Sequence, residues 1–125
     1  MLDFRKNTYY SFYMKKTTLM TVSYSQKIPR GQLIMHPNEG SDLGLYTKSH
    51  PLEWCTNLPA EEFLKGGTGS IQPVVIELLN ECPQNTIQFN DYEWVHIGMP
   101  DRAVVFFDGT RVFVHGVKKV PETAK

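Results

Sequence analysis

Apolar and polar positions alternate most clearly in the last third of the chain. Ala103–Phe107 and Thr110–His115 are β-forming runs separated by Asp108-Gly109. Asp-Gly supplies the positive φ angles of a two-residue type I′ turn, so these runs predict a β-hairpin. Thr86–Asn90 and Tyr92–Met99 also read as strands. Near the start, Thr8–Tyr13 and Thr17–Tyr24 are rich in Thr, Val, Tyr and Phe. They predict two strands joined by a tight turn at Met14-Lys15-Lys16. Gln32–His36 reads as a short strand, His36–Asp42 as a loop, and Leu43–Thr47 as a further short strand.

Helical signals are confined to the middle. Pro59 followed by Glu61 and Glu62 suits a helix start, Phe63 and Leu64 would face inward, and Gly66-Gly67 would end the helix. Val74, Leu78 and Cys82 recur every four residues, with Val75 and Leu79 on the adjoining stripe. That spacing predicts a helix over 74–82, against the β-branched run Val74-Val75-Ile76. Pro83 stops it. The sum is one α+β domain over 1–125: a mostly antiparallel sheet with a C-terminal Asp-Gly hairpin, packed by one or two short central helices. Residues 1–19 form either an edge hairpin or a dispensable extension. No linker, low-complexity tract or convincing internal repeat stands out.

Composition narrows the class. The chain has 125 residues, 41% hydrophobic and 21% charged, which is enough for one core. Lys15-Lys16 precedes a stretch too polar for a signal peptide, and no apolar run is long enough for a membrane helix. A cytoplasmic protein is expected. Thirteen basic and thirteen acidic residues cancel, which argues against an extended nucleic-acid surface. The charges are nonetheless segregated: residues 1–30 and 102–125 are basic, and 31–101 are acidic. That pattern, and the need of a β-rich domain to cover its sheet edges, point to a homodimer or higher oligomer.

A two-residue turn pairs Phe107 with Thr110, Val105 with Val112 and Arg102 with His115. One face then carries Ala103, Val105, Phe107, Thr110, Val112 and Val114 and belongs to the core. The other carries Arg102, Val104, Phe106, Arg111, Phe113 and His115. Arginine planes stack on aromatic rings and fork onto phosphate or carboxylate, so this second face is the expected binding surface, with Trp94 widening it. Lys65 precedes the glycine-rich Gly66–Ser70 segment, a possible anion cradle although no P-loop.

Other candidates carry less. His36-Pro37-Asn38-Glu39 and His50-Pro51-Leu52-Glu53 share a His-Pro-x-Glu pattern that suits turns better than a metal site. Cys55 and Cys82 have no zinc spacing and are expected reduced and buried. No catalytic signature, cofactor motif or metal site is expected. The leading function is therefore a small non-catalytic binding protein, an inhibitor or immunity-type partner of another protein. The alternatives are a protein binding a nucleotide or other phosphorylated small molecule through Arg102, Arg111 and Lys65, and a small hydrolase or transferase with His96 or His115 as base.

Overall fold

A computed structural model describes residues 14–118. The expected strand over Thr8–Tyr13 lies outside them. The described residues form eight strands and three short helices: β1 (Lys15–Lys16), β2 (Met20–Tyr24), β3 (Gln32–Met35), α1 (Pro37–Asp42), β4 (Ser49–Thr56), α2 (Ala60–Leu64), β5 (Ser70–Leu78), β6 (Thr86–Phe89), α3 (Asp91–His96), β7 (Arg102–Phe107) and β8 (Arg111–Val117).

The sheet closes on itself. Seven strands run in the order β7-β2-β6-β3-β5-β4-β8, and β8 returns to β7. β1 continues β2 along the same side of β7, after a bulge at residues 17–19. There the Thr17 N–H donates to the Val105 carbonyl (3.0 Å) while the Thr17 hydroxyl accepts from the Val105 N–H (3.0 Å). The sheet is mixed: β2/β6, β3/β5 and β4/β8 are parallel and the remaining barrel pairs antiparallel. Closure leaves the seven barrel strands without an open edge.

Alternate residues fill the interior. Met20, Leu33, Met35, Trp54, Ile76, Ile87, Phe89, Ala103, Val105 and Val112 are essentially solvent-free. A second cluster lies outside the barrel, where α2 lays Phe63 on Phe113 (ring centroids 5.3 Å) and Cys55.

Four expected elements between residues 36 and 99 change. Residues 74–78 lie in strand β5, not a helix: Val74, Ile76 and Leu78 alternate into the core between β3 and β4, and tertiary pairing overrides the four-residue spacing. Conversely, Tyr92–His96 is helical. Asn90 caps it through a bond from the Tyr92 N–H (2.8 Å), and Asp91 and Glu93 occupy the first turn. The His36–Asp42 loop is also a helix, capped by His36 Nδ1, which accepts from the Asn38 N–H (3.0 Å). Leu43–Thr47 forms no strand.

The hairpin keeps its expected faces but not its register. Phe107 pairs with Val112 and Phe106 with Phe113. Asp108 Oδ1 accepts from the N–H groups of Thr110 (2.9 Å) and Arg111 (2.7 Å), so the connection is a longer loop with only Gly109 at positive φ. The shift is by an even number of positions, which preserves the faces.

The barrel contains an internal structural repeat. A shift of 54 residues carries β2-β3-α1 onto β5-β6-α3. Thr21 faces Thr86 as Val75 faces Gln32. The Thr21 N–H donates to the Asn85 carbonyl and the Val75 N–H to the Gly31 carbonyl, both at 2.8 Å. His36 and Asn90 cap the two helices, and Gly44 and Gly98 end them with φ +76° and +98°. The Leu45 N–H reaches back to Gly40 O (2.9 Å) as the Met99 N–H does to Trp94 O (2.8 Å). Ile34 and Gln88 pair with each other on the pseudo-two-fold axis. The true counterpart of His36-x-x-Glu39 is Asn90-x-x-Glu93, not the second His-Pro-x-Glu segment, where His50 lies in β4 and its ring bonds to Thr47.

Candidate functional site

Each repeat places a buried glutamate at the third position of its helix, Glu39 in α1 and Glu93 in α3, both 5% exposed. Glu93 turns back toward the barrel. Its Oε2 accepts from the Gly31 N–H (2.7 Å), and the neighbouring Asn90 Nδ2 donates to Ile28 O (2.7 Å). These two bonds pin the loop between β2 and β3 at both ends of Pro29-Arg30. Arg30 then lies flat on Tyr92, with its guanidinium carbon 3.7 Å from the ring centroid. His96, one turn further along α3, stacks against the same ring (6.0 Å).

Beneath this layer is a cavity of about 210 Å³ at the mouth of the barrel. Its floor comes from the ends of β4 and β5: Trp54, Thr56 and Gln72. Its roof is α3, through Tyr92, Glu93, His96 and Ile97, and Arg30 stands at the rim. Three residues of this lining hold a buried polar atom with no hydrogen-bond partner among the described residues: Trp54 Nε1, Thr56 Oγ1 and Glu93 Oε1. Native proteins satisfy nearly all such atoms, because each unmet one costs about 1–3 kcal/mol. Burial pushes the Glu93 carboxyl above the ordinary glutamate range, and the Gly31 N–H bond, the nearby Asn90 backbone and the charges of Arg30 and His96 offset this only in part.

The repeat supplies an internal comparison. β7 opposes β2 as β4 opposes β5, which makes Val105 and Phe107 the counterparts of Trp54 and Thr56. Both are apolar and belong to the core cluster. Polarity at these positions is therefore confined to the half under α3.

No family model, curated protein or solved structure matches this chain.

The residues expected on the hairpin face are distributed differently from the expectation. Phe113 is buried, covered by Phe63. Arg111 is tied to Asp108 (2.8 Å), reaches Gly67 O (3.4 Å) and lies over the Phe63 ring (5.4 Å). Burial alone would raise the Asp108 carboxyl, but its bonds from Arg111 and Thr110 outweigh that and hold it low. Phe106 is half-buried, and exposed His115 approaches both Phe106 and Phe113 (6.5 Å each). Arg102 is exposed. Trp94 stands on α3, stacked on Tyr24 (3.7 Å), with its indole N–H donated to Pro100 O (2.9 Å). Lys65 is the exposed C-cap of α2. Among the described residues no three His, Cys, Asp or Glu converge as metal ligands, and both cysteines are free. No described helix is long and apolar enough to cross a membrane.

Sequence reasoning overlooked Arg30, Trp54, Thr56, Gln72 and Glu93 as one site. Asn90 followed by Asp91 and Glu93 was the available signal: a capping residue with acids in the next turn marks a helix start.

Proposed function

We propose that this protein is a small-molecule-binding protein whose ligand enters the barrel mouth beneath α3. The observation that carries this reading is the convergence of three unpartnered buried polar atoms on one cavity with a rim arginine. A ligand bearing complementary groups would recover what the free protein forgoes there. Affinity would come from that desolvated constellation more than from buried area. Reading the hairpin face as a docking surface for a protein partner has less support, since Phe113 is covered and Arg111 is engaged within its own chain.

The test is a thermal-shift screen of small polar metabolites spanning neutral, anionic and cationic members. A ligand that binds only the folded state raises Tm. The expected result is stabilisation by at least one chemical class, abolished by Glu93→Gln combined with Thr56→Val. A flat response across all three classes refutes the reading.

A further inference from the structure

We infer that the ligand is a small hydroxylated organic anion, bound with a hydroxyl inward and its anionic group at Arg30. This rests on the mouth being a ligand site and names the chemistry it selects.

The inner groups decide the inner end. The Trp54 indole can only donate, so its partner needs a lone pair. An ionised Glu93 can only accept, so its partner needs a proton. Thr56 can do either. A hydroxyl meets both demands with one atom. A carboxylate at this depth would face the Glu93 charge, and an ammonium group would offer Trp54 no lone pair. Glu93 is already committed through Oε2 to Gly31, which leaves Oε1 as the free acceptor.

The rim decides the outer end. Arg30 lies face-down on Tyr92 and forms no ion pair among the described residues. Stacking occupies its face and leaves its N–H edges for a planar or tetrahedral anion. His96 stands on the same rim and supplies a second N–H donor.

The volume sets the size. A cavity of 210 Å³ corresponds to about seven waters at ~30 Å³ each. It accommodates a short polyol or hydroxy acid.

The two tryptophans make the test specific. Trp54 Nε1–H has no partner among the described residues, whereas Trp94 Nε1–H is bonded to Pro100 O, so ¹H–¹⁵N NMR of the whole chain carries its own control; a Trp94→Phe variant assigns the signals. The probes are glycerate, glycerol 3-phosphate, inorganic phosphate and glycerol. The expected result is movement of the Trp54 signal with a stationary Trp94 signal. Half-saturation by glycerate or glycerol 3-phosphate should come at a concentration at least about tenfold below that of phosphate or glycerol. Whichever of the two binds more tightly distinguishes a carboxylate from a phosphate ligand. Arg30→Ala, at an exposed position, should weaken both anions about tenfold and leave glycerol unchanged. Glycerol matching the anions, or no effect of Arg30→Ala, overturns the anionic class while leaving the mouth as a site. Phosphate alone matching the hydroxylated anions overturns the inward hydroxyl. A Trp54 signal unmoved by all four probes overturns the proposal, and with a flat thermal screen it removes the site as well.

Discussion

Thr56→Val is the sharpest test of the pocket's energetics. Thr56 is 5% exposed and its hydroxyl oxygen has no partner among the described residues. Valine has the same shape, the same branching at Cβ and a similar preference for a strand, so packing and backbone terms nearly cancel. What remains is the desolvated hydroxyl. Removing an unmet buried polar group of this kind recovers about 1 kcal/mol, the low end of the usual penalty. For a domain of this size that corresponds to a rise in Tm of about 4 °C. Calorimetry and urea unfolding of the ligand-free protein at pH 7 measure it, with an unchanged m-value showing that the effect lies in the folded state. Ligand affinity should fall in the same variant, so stability and binding move in opposite directions. A fall in Tm of about 2 °C or more would mean that the hydroxyl is satisfied in the folded protein, and the description of the mouth as underpartnered would be wrong.

Three further outcomes follow from the same contacts. Burial raises the Glu93 carboxyl above its ordinary value of 4.5, so folding takes up a proton there; stability should decline as pH rises from about 4.5 through the higher folded value, and urea midpoints of Glu93→Gln from pH 4 to 8 should lack that component. Phe63→Ala should cost about 3–4 kcal/mol in urea unfolding, because Phe63 is fully buried and is the only buried residue of α2; a loss below about 1 kcal/mol would show that α2 is not clamped by this ring. Cys82 is 3% exposed and its thiol is pushed up to about 11 by burial and by Glu39, while burial also raises Cys55 despite Arg111; iodoacetamide at pH 8 should leave both thiols intact in native protein and alkylate both in urea, as mass spectrometry would show.

The sequence displayed those elements whose local chemistry and tertiary role agree. Pro59 with Glu61 and Glu62 marked α2, and the β-branched and aromatic residues around Asp108-Gly109 marked β7 and β8 with the correct inward faces. The errors arose where one local signal competed with another. Val74, Leu78 and Cys82 fit a helix, yet Val74, Ile76 and Leu78 fit a strand equally well, and only the neighbouring strands decide. Tyr92, Trp94 and His96 alternate as in a strand, but Asn90 makes the helix by taking the Tyr92 N–H. The hairpin register hinged on Asp108, which holds two N–H groups beyond the turn. The repeat was hidden because its halves share roles more than residues: histidine caps one helix and asparagine the other. Of the equivalent positions between residues 31 and 44, only Glu39/Glu93 and Gly44/Gly98 keep the same amino acid. The pocket was invisible for a related reason, since its walls come from β4, β5, α3 and the loop before β3, which meet only when the barrel closes.

The parallel pairs of the two repeats are exchanged: β2 lies against β6 and β5 against β3. Neither half can complete its own hydrogen bonding, and Thr21 must find Thr86 across most of the described chain. Chain entropy opposes such distant contacts until many have formed together, which places this topology among the slower two-state folders, in the range of about milliseconds to seconds. The interlocking that delays assembly should also resist partial opening. A cut in the Gly66–Gly69 loop would separate the chain into two pieces but not the barrel into two halves, because each piece would still hold strands buried between those of the other.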